Sequence, residues 1–283
     1  MMEKLSKETI WYRINTDTPE GKKLRAQYKL RGIPTVVLLD AKGEETDRII
    51  GYEDRSGWMK RYLMSLYGVD TLGDYLARAG GEPGAEICLK IANKYLDRGD
   101  AANTLAWVAK ARSAKDGGKP EFAQPLDLAE GLALLQAKPE EGEKKLLALA
   151  TDPKSGDDGR EAFGALARVY KKGDRNKELE SLYDKVMAFN GDEKDFLNDY
   201  AWTFAERGIA LPKALEAAKK AAALSNDDPG VLDTLAEVYF KMGDKKMAVE
   251  TEEKAIAKEP GEKYYQEQKA KFLKDGAKKD GAK

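Results

Sequence analysis

The chain has no histidine and only one cysteine, Cys88, in 283 residues. The missing histidine removes imidazole general bases, Ser–His and Cys–His nucleophilic pairs, and histidine-based zinc sites. A single cysteine cannot form an intrachain disulfide, so no stapled framework exists. No run of about 18 apolar residues is present, and hence no membrane-spanning helix is expected. One sign of charge does not dominate either: 49 Lys and Arg stand against 50 Asp and Glu, a net charge of −1. With a pI near 6.0 and no basic stripe interleaved with aromatics, no nucleic-acid partner is expected. The acidic residues are scattered and define no pair. No catalytic residue, metal set or cofactor is therefore expected. Residues 1–9 are polar and carry no apolar core of a signal peptide, which reads as cytoplasmic for the chain as written.

What is present falls into two parts. Between residues 9 and 68, Thr9-Ile10-Trp11-Tyr12-Arg13-Ile14 is rich in β-branched and aromatic residues and predicts a strand. Leu24, Tyr28 and Leu30 mark a short helix, ended by Gly32. Thr35 to Leu39 is a continuous apolar run, expected of a strand buried on both faces. Asp40-Ala41-Lys42-Gly43 predicts a hairpin turn and Thr46 to Tyr52 the returning strand. Asp54 or Ser56 can cap a last helix with Trp58, Tyr62, Leu63 and Leu66 on one stripe. The predicted order is β-α-β-β-α.

That order, with Gly32-Ile33-Pro34-Thr35 and Ile49-Ile50-Gly51-Tyr52, resembles the C-terminal half of a thioredoxin fold. The resemblance implies a cis Ile33–Pro34 bond and a backbone at Ile33 that pairs with an extended substrate strand. Ile33 and Pro34 are thus the candidate substrate-binding residues. The family's Cys-x-x-C pair has no counterpart here, and thiol–disulfide exchange needs two thiols. The resemblance also implies a strand between residues 9–14 and 35–39 that this sequence does not contain. A native polypeptide starting further upstream is one expectation, and such a form would be a thiol–disulfide oxidoreductase, periplasmic or exported. A partner supplying the strand, or a remnant packed against the later part of the chain, are the others.

The second part repeats. Leu235-Ala236-Glu237-Val238-Tyr239 leads into Gly243-Asp244, and Leu166-Ala167-Arg168-Val169-Tyr170 into Gly173-Asp174. Ile91-Ala92-Asn93-Lys94-Tyr95 leads into Gly99-Asp100. A helix places Leu, Ala and Tyr on one stripe. Gly then takes the left-handed conformation and Asp caps the next helix. Small residues such as Ala248 and Ala255 sit where the second helix crosses the first. Five hairpins are predicted, over 84–115, 120–151, 157–190, 195–227 and 229–262, the second of them the weakest match. These resemble the tetratricopeptide repeat. Glu252 stands where that family usually has an aromatic, so its helix is expected to be more exposed. The resemblance implies an all-α superhelical solenoid whose groove takes a protein or peptide. No Lys/Asn set recurs at matching positions, so no particular ligand is named.

The domain plan is a partial thioredoxin-like α+β piece over 1–68, a short helix and Gly-rich linker over 69–83, hairpins over 84–262, and a capping helix with a low-complexity Lys-rich tail over 263–283. Cys88, Trp107 and Trp202 are read as packing residues, and Asn198 with Trp202 as a helix–helix contact. As written, the chain is expected to be a protein-binding scaffold with a catalytically incomplete thioredoxin-like piece.

Overall fold

The computed structural model describes residues 9–51 and 54–274. Among them, the N-terminal part holds helix α1 (Pro19–Gln27), strands β1 (Thr35–Leu39) and β2 (Glu45–Ile50), and helices α2 (Arg55–Leu66) and α3 (Leu72–Ala79). Thr18 starts α1 by accepting from Gly21 N–H, and Asp54 starts α2 by accepting from Ser56 and Gly57 N–H. Each satisfies donors that a helix leaves open at its first turn. Strands β1 and β2 pair antiparallel, with Thr35 opposite Ile50 and Leu38 opposite Asp47. The turn at Gly43 has a φ of 84°, a left-handed conformation that glycine adopts without penalty. Ile49 and Tyr62 form a small core with Val36, Leu38 and Trp58, and Trp58 stacks on Tyr62 at 5.4 Å between ring centroids. The Ile33–Pro34 peptide bond is cis.

The thioredoxin-like β-α-β-β-α piece is not found. Residues 9–14 form no strand, and among the described residues the sheet has two strands only. Strand propensity yields a strand only when a segment pairs with a sheet edge, and residues 9–14 pair with neither β1 nor β2: Ile10 and Tyr12 are exposed, and Trp11 rests on Trp58 and Tyr62. For the same reason β1 is not buried on both faces. Val36 to Leu38 are half-buried and Leu39 is exposed. Helix α1 ends at Gln27, before Gly32, with Lys29 in a left-handed conformation. Tyr52 and the Lys-rich tail from 275 onward lie outside the described residues.

The rest is an array of α-helical hairpins. Its helices are α4 (Ala85–Asp97), α5 (Ala101–Ser113), α6 (Pro120–Ala137), α7 (Pro139–Ala150), α8 (Gly156–Lys172), α9 (Asn176–Asn190), α10 (Lys194–Arg207), α11 (Leu211–Leu224), α12 (Pro229–Met242), α13 (Lys245–Lys258) and α14 (Lys263–Lys274). The chain divides into two compact units. One holds the chain up to Leu149 with Ser155–Ala162, and the other holds Ala150–Lys154 and Phe163 onward.

Within each unit the packing rule is the same. Helix α4 packs on α5 and on α6, α10 on α11 and on α12, and α12 on α13 and on α14. A first helix thus meets both its own partner and the first helix of the next hairpin. Fully buried Ala214, Ala221, Ala248 and Ala255 let the second helices approach closely. In the first unit, Cys88, Ala92, Val108, Ala111 and Leu126 share one core, which Trp107 flanks. In the second, Phe163, Tyr183, Tyr200 and Phe204 form a chain of ring contacts, with Tyr183 meeting Phe163 at 4.9 Å.

Two local expectations are corrected. Gly99 and Gly243 are left-handed, but in the third copy Asp174 takes that conformation instead of Gly173. That copy lacks one residue before its glycine, so the reversal falls one position later. Gly142, at the end of the Lys138-Pro139-Glu140-Glu141-Gly142 run that the sequence reads as the turn of the second hairpin, lies inside α7 against the backbone of Leu135.

Candidate functional site

Ile33 and Pro34 sit in the loop before β1. The Ile33 side chain is 66% exposed, and the Pro34 carbonyl accepts from Gly51 N–H at 2.9 Å. No thiol chemistry accompanies them. Cys88 is buried in the helical core, where burial raises its thiol pKa, the opposite of what an attacking thiolate needs.

The N-terminal hairpin is anchored to the first repeat by charge. Asp47 on β2 is fully buried and takes Lys94 Nζ on both oxygens, at 2.8 and 3.0 Å, and Ser65 Oγ at 2.6 Å. Arg31 donates to the Leu96 carbonyl and Arg48 to the Asp97 carbonyl. Both therefore cap the C-terminal end of α4, where open carbonyls favour cations. Arg98 reaches back to Glu45 at 3.3 Å and to the Thr46 carbonyl. Asp47, Arg48 and Ser65 are buried and Glu45, Lys94 and Arg98 half-buried, while Arg31 closes the contact from the exposed side. The arrangement is structural: each carboxylate is matched by a cation, leaving none free to act on a ligand.

A concave site lies in the second unit, at the C-terminal ends of α8 and α10. Lys171, Asp174, Asn176, Thr203, Glu206 and Arg207 line a cavity of about 410 Å³. The apolar stripes of α8 and α10 bury Tyr170 and Phe204, which turns Lys171, Thr203 and Arg207 to the rim. Lys171 Nζ donates to Thr203 Oγ1 at 2.8 Å and lies 5.9 Å from the Tyr183 ring centre. Thr203 is buried and shares a 3.2 Å hydrogen bond with Tyr183. The Tyr183 hydroxyl donates to Asp199 at 2.5 Å, and burial, reinforced by Asp199, raises its pKa. Arg207 is held by the Lys171 carbonyl, by Asn176 Oδ1 at 2.8 Å and by Asp174. Arg207 is therefore largely committed, whereas an ammonium has three donors and Lys171 spends one on a neutral hydroxyl.

These cavity residues were not singled out by sequence. A recurring Lys/Asn set was the signal sought, and none recurs. Arg207 stands just before the turn glycine Gly208, but the matching residue before Gly173 is Lys172, which does not line the cavity. Trp202 is half-buried, and the Asn198 side-chain oxygen is buried with no hydrogen-bond partner among the described residues. Among the described residues no group of acidic or thiol side chains could hold a metal ion, and no helix is long and apolar enough to cross a membrane.

No family model matches the sequence, and no curated protein matches it. Solved tetratricopeptide repeat structures are similar to the fold. One is a tetratricopeptide repeat protein from Parabacteroides merdae, 13% identical, matched over 66% of this chain and 72% of its own, with a TM-score of 0.49. A thermophilic protein of the same repeat class from Thermus thermophilus is 16% identical, over 77% of this chain and 96% of its own, with a TM-score of 0.32. The corresponding domain of P58(IPK) is 18% identical, over 77% of this chain and 63% of its own, with a TM-score of 0.34.

Proposed function

We propose that this protein is a non-catalytic scaffold of the tetratricopeptide class, whose hairpin array binds a protein through an extended or helical segment. The observation that carries the reading is the cavity between the ends of α8 and α10, where Lys171 offers unspent donors on a wall fixed by Thr203 and Tyr183. Backbone carbonyls or a carboxylate of a bound segment fit those donors. The recurrent placement of first helices against one another supplies the rigid surface such binding needs.

The test is selection of peptides from a displayed random library on the intact protein, followed by calorimetric titration of the winners. Peptides that bind the wild type and lose about tenfold or more with Lys171→Ala support the reading. Absence of enriched sequences, or winners that bind Lys171→Ala equally, would overturn it.

A second reading concerns Ile33 and Pro34. Among the described residues strand β1 pairs with β2 alone, and the Ile33 side chain stands exposed beside it. An extended segment added along β1 would use the Ile33 backbone as its first partner. Ile33→Pro removes that N–H; partner binding unchanged by it would rule the reading out.

A further inference from the structure

Three carboxylates are buried under helix α14. Asp233 and Glu237 come from α12 and Glu252 from α13, and all three are almost fully buried. Helix α14 packs over both. The position was expected to be more exposed on sequence grounds; α14 is what covers it.

The groups facing this cluster do not balance it. From α14, Lys271 Nζ pairs with Glu237 Oε2 at 2.6 Å and the Tyr264 hydroxyl donates to Asp233 Oδ2 at 3.3 Å. Lys241, on α12 itself, stands 3.7 Å from Glu237. Tyr265 of α14 feels both Asp233 and Glu252. Lys269 of α14 pairs at the rim with Glu253, not with the cluster. Glu252 receives nothing: it is fully buried, and neither carboxylate oxygen has a hydrogen-bond partner among the described residues.

A buried carboxylate with no donor is not stable as an anion. It either carries a proton or returns to water. Lifting α14 would return Glu252 to water with α12 and α13 intact. We infer that α14 is a proton-latched cover on the end of the hairpin array, docked when Glu252 is protonated and released as Glu252 ionises.

The direction comes from linkage. Burial, then Asp233 and Glu237, raise the Glu252 pKa from 4.5 to about 8 in the docked state. An exposed Glu252 keeps its ordinary value. Between those two pH values the docked form holds one more proton than the lifted form, so docking weakens as pH rises and levels off above about 8. Asp233, raised by burial to about 6, acts the same way below that pH. The interval from pH 6 to 8 therefore isolates Glu252.

The test is amide hydrogen exchange on the full chain from pH 6 to 8, with rates divided by their intrinsic values. One proton corresponds to at most about tenfold per pH unit. Protection of residues 263–274 is expected to fall by up to about a hundredfold while protection of α10 stays constant. Glu252→Gln should hold α14 protection flat across the range. Lys271→Gln, which removes the one cation facing Glu252, should move the fall to higher pH. Three results would overturn the latch: constant wild-type protection, a fall in Glu252→Gln parallel to wild type, or equal loss in α10.

Discussion

Lys94 and Asp47 lie 47 positions apart in sequence and meet with Lys94 Nζ 2.8 and 3.0 Å from the two carboxylate oxygens. Asp47 is fully buried, and Lys94 is the principal cation that reaches it; Arg98 stands at 3.8 Å. This pair fixes strand β2 to the end of α4, and with it the whole N-terminal hairpin to the first repeat. Removing one partner of a buried pair leaves the other charge uncompensated, at a cost of about 3 kcal/mol. Lys94→Met is expected to lower stability by that order in chemical denaturation. The double variant Lys94→Met with Asp47→Leu should recover most of the loss, because no orphan charge remains.

The left-handed turns differ between repeats, and the difference is measurable. Gly243 sits at φ 87° and Gly99 at φ 66°. An L side chain there costs about 1–2 kcal/mol. Gly243→Ala should lower stability by that order, read by thermal or urea unfolding. Gly173 does not hold the left-handed position, because Asp174 does. Gly173→Ala is expected to change stability by less than about 0.5 kcal/mol, and Asp174→Gly to be neutral or stabilising.

Gly142 of α7 lies against the backbone of α6 at Leu135. A Cβ built there would lie 2.3 Å from the Leu135 backbone nitrogen. Backbone cannot yield as a flexible side chain can. Gly142→Ala should separate the two helices at a cost of about 1–3 kcal/mol. Gly131→Ala, whose Cβ would meet the Leu146 side chain at 2.8 Å, should cost less, since a leucine can change rotamer. The two variants compared by urea unfolding check this order.

Tyr183 ties three helices together, since its hydroxyl meets Asp199 and Thr203 of α10 while its ring lies against Phe163 of α8. Tyr183→Phe keeps the ring contacts and removes the hydroxyl. About 1–2 kcal/mol of stability should be lost. Thr203, which accepts from Lys171, also loses its own tether to the Tyr183 hydroxyl, so peptide binding at the cavity should weaken with it. Stability lost with binding unchanged would show that the wall and the cavity act separately.

The helices were legible because each hairpin carries its own local signals. Leu, Ala and Tyr fall on one stripe, Gly turns the chain, and Asp accepts from the next helix, as Asp100 does from Asn103 and Asp244 from Met247. The strand at 9–14 does not form because β-branched and aromatic residues state only a preference, and these residues pair with neither β1 nor β2. Glu252 was misread because its burial depends on α14, a helix that begins eleven positions later in the chain. The cavity at Lys171 and Arg207 was not legible at all. Its residues come from three helices and recur at no fixed spacing.

The sequence alone determined where the chain turns and which face of each helix is apolar. Both are set by contacts within a few residues: caps, left-handed glycines and a 3.6-residue period. It also determined that imidazole chemistry and intrachain disulfides are absent. Tertiary structure alone decided which charges are buried together. Asp47 with Lys94, Thr203 with Lys171, and Glu252 beneath α14 are all non-local. Their energies depend on the dielectric and the donors that only packing supplies.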